Sequence, residues 1–203
     1  MKRFKFSILL LALTVLISCS KDDNSDDMDD EDIQQLVENF VTPDLLQSLR
    51  DLGFNFNDGQ DSPDISGAFL FSNTILGASN IQGDAAVGTQ FNDATFMFSN
   101  LNPEQRTFTF SVIENGTTQG QTQATFYSGV GNRFTAYVRT SVAVAGAEPI
   151  LLYAITGTIS EEGITSAQFA LLMLDDKGDP NGTLIANGEG RLFNDQDGTA
   201  NRQ

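Results

Sequence analysis

Residues 106–113 read RTFTFSVI. Phe108, Phe110 and Val112 fall on one side of an extended chain, and Thr107, Thr109 and Ser111 on the other. Side chains of a strand point alternately to its two faces, so this period of two marks a half-buried β-strand. The same period recurs upstream. Phe69 and Phe71 alternate with Leu70 and Ser72, and Ala94, Phe96 and Phe98 alternate with Thr95, Met97 and Ser99. Further strands are expected at 121–128, 132–140, 150–159, 164–174 and 183–193. Turn residues separate them at 102–103, 115–116, 129–132, 161–163 and 178–182. About eight strands with short links predict a mainly β fold, an antiparallel up-and-down barrel, with a β-sandwich as the alternative. PILLYAI (149–155) and AQFALLML (167–174) are apolar on both faces. In a barrel their outer side therefore needs a cover, and the segment before the strands can supply one.

That segment is helical in pattern. Ile33, Leu36, Val37 and Phe40 stand at i, i+3, i+4 and i+7, one face of a helix. Thr42-Pro43-Asp44 then spells a helix start, with Thr as N-cap and Pro at the first helical position. Leu45, Leu46, Leu49 and Leu52 make the apolar face, and Gly53 suits the C-terminal cap. Residues 54–64, FNFNDGQDSPD, are turn-rich and read as a linker into the strands.

Composition narrows the function. The 203 residues are 40% hydrophobic, enough for one ordinary globular domain. There is no histidine and no tryptophan. The commonest general base and zinc ligand is therefore missing, and Ser-His-Asp or Cys-His chemistry within the chain is ruled out. Net charge is −16. The first five residues carry +3 through Lys2, Arg3 and Lys5, residues 20–32 carry −7, and residues 33–203 carry −12. Without a basic patch to neutralise phosphates, nucleic acid is not an expected partner.

The N-terminus is an address. After the basic start comes an apolar run over 6–17, shorter than a membrane span. It ends in Leu16-Ile17-Ser18-Cys19, and Cys19 is the single cysteine. These four residues resemble the lipobox of bacterial lipoproteins. The resemblance implies a lipid on the Cys19 sulfur, removal of residues 1–18, and a protein anchored to the membrane rather than spanning it. Like charges are expected to keep the acidic tract 19–32 extended as a tether. Within it Lys21-Asp22-Asp23 resembles the export signal of Bacteroidota surface lipoproteins, which implies display on the outer membrane at the cell surface. The expected organisation is thus a leader at 1–18, a tether at 19–32, a helical segment at 33–60 and a β-barrel domain at 61–203.

A longer likeness covers about 42–200. DSPDISGAFLFS (61–72), GNRFTAY (131–137) and FALLMLDDKGDPNGTLIANGEGRLFNDQDG (169–198) resemble a Bacteroidota lipoprotein family of unknown function. Its members often lead into their first strand with Pro-Pro-Asn-Ile-x-Gly-x-Tyr. This chain instead has Ser62-Pro63-Asp64-Ile65-Ser66-Gly67-Ala68-Phe69, with Ser for the first Pro and Phe for the Tyr. The resemblance implies a calycin-like (lipocalin-like) barrel on a lipid anchor and implies no activity.

Two site classes remain. Phe96, Phe98, Phe108, Phe110, Phe126, Phe134 and Phe169 are spaced to share one side of the sheet. They are either the filling of a barrel or the lining for a small apolar or amphipathic ligand. The first case leaves an interaction protein that meets its partners through its loops. Asp175, Asp176, Asp179 and Asn181, with Asp195-x-Asp197-Gly198, offer oxygens of the kind calcium takes. Neither stretch has EF-hand spacing, and turn-forming is the expected role. The glutamates at 104, 114, 148, 161 and 162 fall at or near turns and are expected to be solvated. Arg133, Arg139 and Arg191 are scarce cations. A buried one is expected to pair with an internal acid or close a barrel end, the alternative being a ligand carboxylate. No metal, no cofactor and no catalysis are expected.

Overall fold

Apolar residues three and four apart wind the first described segment into two helices, α1 (Asp30–Val41) and α2 (Pro43–Asp51). The computed structural model describes residues 30–144 and 146–203. One residue, Thr42, joins the helices. Its backbone takes φ 78 and its side chain makes no capping bond. The expected Thr cap is therefore replaced by a backbone joint: Thr42 N–H donates to the Glu38 carbonyl (2.9 Å) and its own carbonyl accepts Leu46 N–H (3.0 Å). Such a tight link spends Thr42 on turning the chain. The α2 C-terminus does follow its sequence signal. Gly53 adopts φ 82, its N–H reaches the Arg50 carbonyl and Phe54 N–H reaches the Leu49 carbonyl. That pair of bonds is a Schellman cap, which needs a left-handed residue and so favours glycine.

Eleven antiparallel strands form one sheet among the described residues. They are β1 (Gly67–Phe71), β2 (Thr74–Ser79), β3 (Ala94–Asn102), β4 (Thr107–Glu114), β5 (Thr117–Gln119), β6 (Gln121–Val130), β7 (Arg133–Ser141), β8 (Ile150–Ile159), β9 (Gly163–Asp175), β10 (Gly190–Asp195) and β11 (Thr199–Arg202). The expectation of about eight strands in simple succession is corrected. The ladder runs β5-β4-β3-β1-β11-β9-β8-β7-β6, and β10 bridges β2 and β9. The strand expected over 183–193 begins only at Gly190, and Asp195–Gly198 then turns the chain into β11. Long β9 makes this possible: one of its edges serves β11 at 163–165 and β10 at 168–172.

The ladder does not close, but the sheet curls until β4 and β6 meet. Tyr127 N–H donates to the Arg106 carbonyl (3.0 Å). Thr125 Oγ1 accepts Phe108 N–H (3.0 Å) and donates to the Phe108 carbonyl (2.7 Å), and Thr122 Oγ1 donates to the Phe110 carbonyl (3.0 Å). Threonine hydroxyls thus satisfy an edge that backbone would otherwise have to pair. Rings also touch across the interior. Phe96 on β3 lies 6.0 Å from Tyr153 on β8, four strands away along the ladder.

Curling gives the sheet two dry faces. The inner face carries Phe69, Phe71, Phe96, Phe98, Phe108, Phe110, Phe134 and Phe169 in one cluster. On the outer face of β6–β10, Phe126, Tyr137, Leu152, Ala154, Ala170, Leu172 and Leu192 pack against Ile33, Val37, Leu45, Leu46 and Leu49 of the helices. This is the cover that the doubly apolar strands β8 and β9 require.

Residues 55–62 do not form a linker. They cross the outer face as a strap along a single register row. Ser128, Thr135, Thr156, Gln168 and Asn194 are successive cross-strand neighbours on β6, β7, β8, β9 and β10. The strap bonds to this row almost residue for residue. Asn55 N–H donates to Gln168 Oε1 (3.2 Å), Asn57 N–H to Thr135 Oγ1 (2.7 Å) and Asn57 Nδ2 to Thr156 Oγ1 (2.9 Å). Gly129 N–H then donates to the Gly59 carbonyl (3.2 Å). A β-carbon at Gly59 would stand 2.7 Å from the Gly129 carbonyl oxygen, so this crossing requires glycine. Arg106, in the turn between β3 and β4, clamps the far end through Ser62 Oγ (2.9 Å) and the Gln60 carbonyl (2.9 Å).

Candidate functional site

A cleft of about 380 Å³ opens between α1, α2 and the strap. Half-buried Phe56 of the strap gives it an apolar surface, and Ile33 and Val37 of α1 and Leu46 of α2 border it with only 1–3% of their surface exposed. Two charged groups face the same space, Arg50 and Asp58. The helical period sets Leu46 and Arg50 one turn apart on α2, so a core leucine and a surface arginine border one opening. The Arg50 guanidinium lies over the Phe56 ring, 5.5 Å from its centre. Phe56 is itself fixed edge-on to Phe54 at 5.1 Å.

Asp58 is the polar floor. Its carboxylate accepts the Ser128 hydroxyl and the Tyr137 hydroxyl, the latter at 3.0 Å to Oδ2. Burial pushes the Asp58 carboxyl above its ordinary value, and the two hydroxyl bonds pull only partly the other way. The Tyr137 phenol is pushed well up, first by burial and then by the Asp58 charge. Among the described residues no cation lies within ion-pair distance of Asp58, and no carboxylate lies within that distance of Arg50. An apolar surface with a few convergent polar groups and a shifted carboxyl is the usual character of a small-molecule site.

Comparison with family models, curated proteins and solved structures gives no match.

The expected site residues fare unevenly. Cys19, Lys21, Asp22 and Asp23 lie outside the described residues. Six of the seven phenylalanines do share the inner face, but Phe126 does not. It packs outward, 6.0 Å from Phe40 and 6.5 Å from Tyr137, while its neighbour Tyr127 points inward. Two adjacent aromatics on a strand that is dry on both sides leave the sequence pattern without a way to choose between them. The other six pack together in one buried cluster. Phe96 alone touches Phe71 (4.9 Å), Phe169 (5.0 Å) and Phe110 (5.6 Å), and it is fully buried. The two ends of strand β10 complete this inner layer. Arg191 grips Asp84 through Nε (2.8 Å) and Nη2 (2.7 Å) and stacks over Phe91. At the other end the buried Asp195 accepts Ser72 N–H (3.0 Å).

The remaining candidates are turn chemistry. Asp175 pairs with Lys177 (2.6 Å), Asp176 accepts Gly178 N–H (2.9 Å), and Asp179 accepts Thr183 N–H (3.0 Å). Arg139 donates to the Phe40 carbonyl and stacks on that ring, tying α1 to β7, and Arg133 is exposed beside the β6–β7 turn. Glu104, Glu148, Glu161 and Glu162 are exposed, and Glu114 is partly buried at the end of β4. Asp58, Arg50 and Arg106 were not singled out by the sequence. Asn57-Asp58-Gly59 looks like any polar turn, and only the register row beneath it gives Asp58 its hydroxyl partners.

Proposed function

We propose that this chain is a lipid-anchored envelope protein of the Bacteroidota surface-lipoprotein kind, held by Cys19 at the outer membrane and displayed on the cell surface. In this reading the curled sheet is a calycin-like barrel with its β4–β6 seam bridged by threonines, and its interior is filled. The role is non-catalytic contact with partners through the outside of the molecule. The observation that carries the filled reading is the Phe96 cluster, whose rings contact each other from opposite walls at 4.9–6.0 Å and leave Phe96 with no exposed surface. A ligand inside would have to displace rings whose burial stabilises the fold by roughly 1.5–3 kcal/mol each. The anchored reading is supported by the lipobox-like residues 16–19 and the acidic run that follows them.

Titration of the purified chain with a fluorescent fatty-acid analogue tests the interior. No saturable binding is expected. Saturable binding that survives Arg50→Gln would overturn the filled reading, because that variant alters only the outer cleft. For the anchor, Cys19→Ser is expected to abolish lipid labelling and release the protein from membranes. Unchanged labelling would refute the attachment.

A further inference from the structure

We propose that the cleft between α1, α2 and the strap binds a compact zwitterion with an apolar side chain, either a free apolar α-amino acid or an apolar dipeptide. The ligand ammonium meets Asp58, the ligand carboxylate meets Arg50, and the side chain lies against Phe56, at the buried edge formed by Ile33, Val37 and Leu46. This site stands apart from the filled interior and does not depend on the anchor.

Three observations converge. The first is the state of Asp58. A half-buried carboxylate is best compensated by a cation, yet its two donors are the hydroxyls of Ser128 and Tyr137. A carboxylate offers about four lone-pair sites, so acceptor capacity remains on a group that borders the cleft. The second is Arg50. Its planar guanidinium presents several donors in a fixed fork. It is exposed, oriented by Phe56, and without a carboxylate partner among the described residues. The third is the half-buried Phe56 ring, an apolar surface bordering the same cleft. The space of about 380 Å³ falls within the usual range of small-molecule sites.

Charge selects among ligands that such a cleft would admit. The chain carries −16 in all, and residues 33–203 alone carry −12. A simple anion is repelled by that field and would face Asp58. A simple amine would be drawn to the field but would sit against Arg50. One acid and one base bordering one cleft favour a molecule that carries both charges and no net charge. The strap also fixes the geometry in advance, because Asn57 and Gly59 on either side of Asp58 are bonded to the sheet.

Calorimetric titration of the purified full chain separates the possibilities, with four probes: phenylalanine, Leu-Phe, phenethylamine and hydrocinnamate. One of the two zwitterions is expected to bind, and which one reports the length the cleft takes. Phenethylamine lacks the carboxylate and hydrocinnamate the ammonium, so each is expected to bind at least about tenfold more weakly. Arg50→Gln is expected to remove the advantage over phenethylamine, and Asp58→Asn the advantage over hydrocinnamate. Should Asp58→Asn loosen the strap and fail to fold, Arg50→Gln still decides, since Arg50 is an exposed side chain. Absence of heat with both zwitterions at about 10 mM, a concentration that would reveal even millimolar affinity, overturns the proposal. So does equal affinity for zwitterion and single-charge analogue, or a zwitterion affinity that Arg50→Gln leaves unchanged.

Discussion

Strands β6–β9 have two dry faces, and the two are built by different means. On the inner face Tyr127, Ala136, Ile155 and Phe169 follow one another across the strands, and Phe193 of β10 continues the row. Their partners are rings from β1, β3 and β4, so the sheet supplies both sides of this layer. On the outer face the equivalent row is Phe126, Tyr137, Ala154, Ala170 and Leu192. Its small central alanines leave room for α1 and α2, which come from another part of the chain. Two residues along from that row the outer face turns polar, and the strap bonds to its hydroxyls and amides. The inner layer is therefore close-packed. The outer layer is an assembly of segments, and the joints between its segments leave clefts.

Three measurements test that contrast. Phe96→Ala is expected to cost the most, about 3–5 kcal/mol of unfolding free energy in denaturant titration. A cost below about 1 kcal/mol would mean a loosely filled interior and would erase the difference between the faces. Leu49→Ala removes a fully buried side chain from α2 and should cost about 2–4 kcal/mol. Hydrogen exchange on this variant sharpens the comparison. Faster exchange confined to α1, α2 and the strap supports an outer layer that opens by itself, whereas uniform acceleration would make the two layers one cooperative unit.

The smallest effect concerns pH. Burial pushes the Asp195 carboxyl up to about 6, and the neighbouring Asp197 adds to the rise. A folded-state value above the unfolded one means the native protein holds the proton more tightly. The stabilisation is therefore complete below about pH 4 and is lost as pH rises through 6. Unfolding free energy should fall by about 1–2 kcal/mol across that window, a figure reduced for partial solvent screening. Asp195→Asn should flatten the slope, and a slope that persists in the variant would assign it to another group. Asp84 acts oppositely, since its bond to the Arg191 guanidinium, followed by that from Ser79, holds its carboxyl well below the usual range.

Much of the inner layer is legible in the chain. The alternation in RTFTFSVI assigns Phe108, Phe110 and Val112 to one face, and all three are buried there. Gly53 likewise announces the end of α2. The outer layer is less legible because β6 is buried on both faces around two adjacent aromatics, so Phe126 and Tyr127 cannot be ordered by period alone. The candidate cleft is the least legible part. Its residues come from three segments, and Asp58 becomes special only where the strap meets Ser128 and Tyr137.

By itself, then, the sequence determines the β class, the aromatic inner face and the helical pattern of the segment that precedes it, because these follow from local periodicity and capping. The tertiary structure alone decides that the sheet holds eleven strands among the described residues, with β1 between β3 and β11. It decides too that the strap lies along a polar row, and that Arg50 and Asp58 border one cleft. Strand order, register and the meeting of distant segments depend on long-range pairing, which leaves no periodic trace in the chain.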